Sequence, residues 1–166
     1  MNDQGLQFVD LVKKELVLDR LVATDRTDAL SKMTDILVKR GYCKASFPDA
    51  ILERERAHPS GLPMAGHKIA IPHADAEHVI TSTILFARLE KPVEWCSMGS
   101  VDDRMDVRLV SMFALKDKRL IGDMLETLIT VYQHDEILDA LITAADSDGM
   151  YEILKQAVQT YEVRNS

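Results

Sequence analysis

No stretch of this 166-residue chain approaches the run of about 20 apolar residues that a membrane-spanning helix needs. The polar start from Met1 to Gly5 also lacks the basic and apolar regions of a secretion signal, so the expectation is a cytoplasmic protein without direct membrane insertion. Cysteine is scarce. Cys43 and Cys96 stand far apart and in no CxxC or Cys/His spacing, which argues against a disulfide framework or a structural zinc site and leaves both as small, partly buried hydrophobes. An excess of positive charge is missing as well: 20 Lys and Arg against 27 Asp and Glu give a net charge of -7. A duplex nucleic-acid binder needs the opposite balance, whereas a basic protein partner suits this one. Neither GxxxxGK[ST] nor GxGxxG occurs, which disfavours direct nucleotide chemistry and implies no cofactor.

What is present reads as an ordinary globular α/β domain. The apolar share of 46% and charged share of 28% are near average, and the length suits one domain with one core, spanning 1–166 with its centre at about 16–160. No internal repeat, low-complexity tract or domain boundary is evident. Val17 to Leu21 is a short apolar run that predicts a first strand. Leu30, Met33, Ile36 and Leu37 recur at helical spacing, with Thr27 as the cap and Gly41 as the stop. A second helix is predicted from about Ser46 to Arg56, on the strength of Pro48 in its first turn and Asp49 three residues after Ser46. Ala50 and Ile51 face the core in this reading.

Pro59, Gly61, Pro63 and Gly66 mark an irregular loop. His67 to Ile71 then forms a brief strand with His67, Ile69 and Ile71 on one face, ended by Pro72, so that His73 sits at a strand end. Thr81 to Leu89 and Val107 to Leu115 are rich in β-branched and aliphatic residues and predict two longer strands, separated by Lys91-Pro92 and a polar loop over 99–104. Three apolar stripes follow, carried by Leu120 to Leu128, Ile137 to Leu141 and Tyr151 to Val158, and each predicts a helix. Strands in the middle and helices at both ends point to a layered α/β arrangement and, together with the resemblance carried by the residues that follow, to a single three-layer α/β/α domain with a small mixed sheet.

An imidazole just past a buried strand is placed where side chains meet ligands, although a lone histidine there is more often a surface or capping residue. The neighbouring pattern changes that weighting. Arg54-Glu55, then Pro59-Ser60-Gly61-Leu62, then Ile69-Ala70-Ile71-Pro72-His73 resembles the R-E…[ST]-G-[IL]…I-A-I-P-H signature of the fructose/mannitol family of phosphotransferase-system IIA domains, in the same order and spacing. The likeness runs from about Leu18 to Leu141 and includes Gly41-Tyr42 and Lys91-Pro92-Val93. His67 before the Ile-Ala-Ile-Pro-His run and His78 after it bring the chain nearest to the galactitol branch.

The resemblance implies that His73 is phosphorylated by the small carrier protein HPr, that Arg54 lies near the phosphoryl group, and that the group passes to a cysteine of a cognate IIB component, with a IIC component downstream. The residue types suit this chemistry, since a neutral imidazole is a nucleophile at physiological pH and a guanidinium offers paired donors to phosphoryl oxygens. Without the resemblance, Arg54 reads as one solvated charge in Glu53-Arg54-Glu55-Arg56, flanked by carboxylates able to form ordinary helix-surface pairs. Ser60 either bonds a phosphoryl oxygen or stabilises a turn.

The chain departs from the mannitol and fructose branches at Leu120, which occupies the region of their second histidine. His67 or His78 is the expected substitute, the alternative for His67 being a satisfied strand histidine. His58 and His134 have no supporting pattern and read as surface residues. Asp75, Glu77, Asp102 and Asp103 read as solvated loop charges rather than metal ligands, and no metal is expected. Two rival functions share these residues: a nitrogen-type regulatory switch using the same phosphohistidine, and an interaction module that has lost phosphotransfer.

Overall fold

The computed structural model describes residues 5–64 and 66–162. Met1 to Gln4, on which part of the reading of the N-terminus rests, lie outside the described residues. The elements are α1 (Phe8–Leu11), β1 (Val17–Leu21), α2 (Arg26–Lys39), α3 (Phe47–Ala57), β2 (Gly61–Pro63), β3 (Lys68–Ala70), β4 (Thr83–Ser97), β5 (Ser100–Ala114), α4 (Ile121–Tyr132), α5 (Asp135–Thr143) and α6 (Ser147–Tyr161). Single 3-10 turns lie at Lys14–Leu16, Ala76–His78 and Lys118–Leu120.

The five strands form one mixed sheet in the order β1-β4-β2-β3-β5, with β4 and β5 also paired directly. Period-two alternation along β4 decides which helices cover which face. Leu85, Ala87 and Leu89 point to the side where α2 and α3 supply Leu30, Met33, Leu37, Phe47 and Ile51. Ile84 and Phe86 point to the opposite side, against α1 and α4 to α6, which supply Phe8, Leu128, Leu138 and Leu154. The arrangement is three-layered, as the strands, helices and resemblance together predict, with an apolar cluster on each face of the sheet in place of one core. Removing a fully buried leucine such as Leu85 costs about 2–5 kcal/mol.

Local structure departs from the sequence reading at several points. Helix α2 is capped by Asp25, whose carboxylate accepts from the Asp28 N–H at 2.8 Å, while Thr27 lies inside the first turn. Gly41 does close α2: at φ +83 it lets its own N–H reach the Val38 carbonyl and the Tyr42 N–H reach that of Leu37. The loop after α3 contains β2, which pairs with β3 through Gly61↔Ala70, Leu62↔Ile69 and Pro63↔Lys68.

The two predicted long strands are the arms of one continuous hairpin, running from Thr83↔Ala114 to Ser97↔Ser100. Pro92, which lacks an N–H, is absorbed by an irregularity in the register between Arg88 and Val93, so it bends the strand without ending it. The residues read as a polar loop over 99–104 are mostly the start of β5. Helix α1 was not legible, being only four residues long.

Arg88 ties helix α5 to the sheet. From β4 its guanidinium donates to the carbonyls of Leu141, Ile142 and Ala144 at the end of α5, and to that of Asp19 in β1. These are the acceptors a helix end leaves without intrahelical partners, so Arg88 fixes where α5 stops.

Candidate functional site

His73 follows β3 at the end of the sheet. Its backbone forms a parallel bridge with Phe113, and the Phe113 N–H donates to the Pro72 carbonyl at 3.0 Å. This continues the pairing of β3 with β5, Ile69↔Leu109 and Ala70↔Val110, so the histidine is held in register although the strand has formally ended. Its Nδ1 lies 3.2 Å from the Ile71 carbonyl oxygen. A carbonyl can only accept, so Nδ1 carries the proton, and the neutral ring keeps its lone pair on Nε2.

Burial lowers the pKa of His73 below the ordinary 6.5, and the Arg54 charge pushes the same way, while the Ile71 carbonyl and Asp75 oppose them. The imidazole is therefore neutral, and nucleophilic at Nε2, near neutral pH. Arg54 projects from the last turn of α3. Among the described residues, no hydrogen bond or ion pair engages its guanidinium. An unpaired guanidinium beside a neutral imidazole is an arrangement able to receive an anion.

A cavity of about 240 Å³ opens nearby, walled by Arg54 from α3, by His58 just after it, and by Ala74, Asp75 and His78 from the segment after His73. A larger cavity of about 550 Å³ lies on the other side of α3, among Arg26, Arg56, Arg104, Asp49 and Glu53. Neither Arg54 nor any residue of the segment after His73 lines it, whereas Arg54, Ala74 and Asp75 line the smaller one, so the smaller one is the candidate site.

The sequence-derived residues fare differently. His78 joins the cavity, where its Nδ1 lies 2.8 Å from Ser46 Oγ. Ser46 does sit at the N-cap of α3, but its hydroxyl serves His78 instead of the helix. His58, read as an uninvolved surface residue, is exposed yet lines the cavity. His58 directly follows the last turn of α3, which carries Arg54, and that proximity in sequence was the available signal.

His67 does not reach the site. The unbroken register of β3 against β5 puts His67 and His73 at opposite ends of the segment, roughly 20 Å apart at strand rise. His67 Nε2 instead donates to Asp139 Oδ1 on α5 at 2.6 Å. The second-histidine role envisaged for it is thus precluded by position, which leaves His78 as the candidate. Ser60 is likewise not poised for a ligand: it is 3% exposed, and its hydroxyl donates to Glu55 Oε2 at 2.7 Å.

Glu55 is the residue the sequence reading misplaced most. Read as a helix-surface carboxylate, it is 6% exposed and accepts from the Ser60 N–H, the Ser60 hydroxyl and the Trp95 indole N–H. Phe47, Ile51 and Glu55 follow one another at i, i+4 and i+8, which places Glu55 on the buried stripe of α3 and would have revealed it. Leu120 is half-buried against the cluster of α4 to α6. Cys43 and Cys96 are buried and free, and desolvation pushes the Cys43 thiol up to about 12, which makes it unreactive. Among the described residues, no three His, Cys, Asp or Glu side chains converge as metal ligands, and no helix is long and apolar enough to cross a membrane.

The described residues thus form a three-layer α/β domain that presents a neutral imidazole, its proton held on Nδ1, together with a guanidinium that no described residue pairs. The chain belongs to the phosphoenolpyruvate-dependent sugar phosphotransferase system EIIA 2 family, whose sequence model matches residues 10–157. Multiphosphoryl transfer protein 2 of Escherichia coli K12 is 31% identical over 159 residues, which is 92% of this chain but only 18% of that much longer relative. The galactitol-specific EIIA component of the same organism is 27% identical over 123 residues, covering 74% of this chain and 81% of the relative. Among solved structures, the complex of Escherichia coli enzyme IIA mannitol with phosphorylated IIB mannitol superposes with a TM-score of 0.72 at 23% identity. It covers 86% of this chain and 95% of the matched one, a likeness of fold.

Proposed function

We propose that this chain is a cytoplasmic phosphocarrier IIA component, a single domain that takes a phosphoryl group from phospho-HPr on His73 and gives it to a cysteine of a cognate IIB component. The observation that carries this reading is the hydrogen bond from His73 Nδ1 to the Ile71 carbonyl, because it leaves Nε2 unprotonated at a half-buried site beside Arg54. Family membership supports it, and the phosphorylated IIB partner in the matched complex supports the choice of acceptor.

In the first step the Nε2 lone pair attacks phosphorus. The bond from phosphorus to the donor's ring nitrogen breaks, its electron pair returns to the donor ring, and a new Nε2–P bond forms. The Nδ1 proton stays in place, so the positive charge the ring acquires rests against the Ile71 carbonyl. Arg54 faces the spreading charge of the phosphoryl oxygens, in the way such transition states are commonly stabilised. In the second step the IIB thiolate attacks phosphorus, an S–P bond forms, and the Nε2–P pair returns to the ring. No protein proton needs to move in either direction.

Galactitol or a related polyol is the cargo this reading favours, on the strength of the galactitol-specific relative. The sugar itself is handled by the membrane IIC component, reached through IIB. Incubation with phosphoenolpyruvate, enzyme I and HPr, followed by intact-mass measurement, tests the reading: the wild type gains one phosphoryl group and His73→Ala gains none. Addition of IIB then discharges the wild type. No gain in the wild type would leave an interaction module, and a gain that no IIB removes would leave a regulatory switch.

A further inference from the structure

We propose that Glu55 is a positioning residue for His73, acting through Ser60 and Ile71 to hold the imidazole in its Nδ1–H tautomer. The inference rests on His73 being the phosphoryl acceptor, and it adds a buried group that sets which ring nitrogen is free. A continuous line of hydrogen bonds joins the two residues. Glu55 Oε1 accepts the Ser60 N–H at 2.9 Å and Oε2 accepts the Ser60 hydroxyl at 2.7 Å. The Ser60 carbonyl accepts the Ile71 N–H at 3.1 Å, and the Ile71 carbonyl accepts His73 Nδ1–H at 3.2 Å.

The anchor of this line is fixed from a second direction, since Glu55 Oε1 also accepts the Trp95 indole N–H at 2.5 Å, and Trp95 is fully buried in β4. The peptide after Ser60 has no slack either. A Cβ on Gly61 would lie 2.5 Å from the Cys96 carbonyl oxygen, so the chain here is pressed against β4 and cannot slide to make other bonds. Ser60 is thus held by both its side chain and its backbone, and it hands a fixed Ile71 peptide to His73. Glu55 and Arg54 are also neighbours on α3, so one helical turn sets both the tautomer of the acceptor and the position of the charge that faces the phosphoryl group.

The carboxylate is otherwise a poor residue for this place. Burial raises its pKa, which marks a cost of holding charge there, offset by the three donors that converge on it. An isolated imidazole prefers its proton on Nε2, the nitrogen that must be free to accept phosphorus. Loosening the Ile71 carbonyl therefore moves the proton to the wrong nitrogen, an effect that second-shell and tautomer-fixing partners exert elsewhere.

Ring nitrogen-15 NMR of histidine-labelled protein tests the proposal without any phosphoryl donor. The wild type is expected to show an unprotonated Nε2 and a protonated Nδ1 on His73. Glu55→Ala should draw the two signals together as the tautomers mix, and should lower the maximal rate of phosphoryl acceptance by roughly tenfold or more with an unchanged KM for phospho-HPr. Glu55→Gln is expected to restore both, because its amide oxygen accepts from Ser60 N–H and Trp95 while the Ser60 hydroxyl turns to accept from the amide N–H.

A folded Glu55→Ala protein with wild-type ring signals would overturn the proposal, as would a wild-type ring protonated at Nε2. Should Glu55→Ala fail to fold, Ser60→Ala carries the test: a displaced tautomer ratio supports the relay and an unchanged one refutes it. If the wild type takes no phosphoryl group at all, the carrier function fails, and the tautomer readout still decides the role of Glu55.

Discussion

Two histidines flank β3, one at each end, and the chemistry of their partners separates them. His73 gives its Nδ1 proton to a backbone carbonyl, and that bond keeps Nε2 free. His67 gives its Nε2 proton to the carboxylate of Asp139, so the nitrogen that would attack is the one already engaged. The charge of Arg54 acts on the first ring, whereas the second is paired with the carboxylate of Asp139 on α5. The two imidazoles thus differ less in burial than in which ring nitrogen is engaged and in the kind of group that engages it.

The sharpest way to break this contrast is to remove the guanidinium. Arg54→Gln keeps the length of a polar side chain but no charge, and it should lower phosphoryl acceptance by roughly 100-fold, as loss of one preorganised electrostatic partner does. The measurement is the rate of single-turnover transfer from phospho-HPr. A loss under threefold would mean that Arg54 is one more solvated helix charge. A smaller effect is expected at His78, which shares the cavity with Arg54 through its bond to Ser46. His78→Ala should cost about one hydrogen bond, roughly 1 kcal/mol or fivefold in rate, in the same assay.

The contrast also explains what could be read from the sequence. The strand Val17 to Leu21, the helices α2 to α6 and the end position of His73 were legible because they follow from periodicity, Gly41 and Pro72, all local signals. The fate of His67 was not, because it depends on a contact 72 residues away in α5. The period-two face it shares with Ile69 and Ile71 gave its direction but not its distance from the site. Pro92 misled in the opposite sense: a local stop signal was overridden by the long pairing of β4 with β5. Glu55 was legible in principle from the stripe of α3, yet residue type outweighed position, since buried carboxylates are rare.

Protonation of the site provides the next test. The folded pKa of His73 is depressed below 6.5, so between that lowered value and 6.5 the unfolded chain binds the extra proton and the folded chain does not. Stability contributed by this residue is therefore fully present above pH 6.5 and is lost as pH falls through the folded value. Thermal melts should show the wild type losing more stability than His73→Gln as pH is lowered below 6.5. Ring titration followed by NMR should give a midpoint below 6.5, and Arg54→Gln should raise it, because a repelling charge is gone. A midpoint at or above 6.5 would remove the physical basis for a neutral nucleophile held by burial.

The smallest effect is expected at the other end of the strand. The Asp139 side chain is 68% exposed, so solvent screens its pairing with His67, which should contribute less than about 1 kcal/mol. Arg88 anchors the end of α5 independently, through three carbonyls, so the helix should stay in place without the histidine. His67→Ala should therefore leave phosphoryl acceptance within twofold of the wild type while lowering the unfolding midpoint by a few degrees at most. If the rate falls as far as in His78→Ala with the fold intact, then occupancy of Nε2 is not what separates the two histidines. In that case the tether at Asp139 must reach the site by moving β3 itself, and the tautomer of His73 would shift along with it.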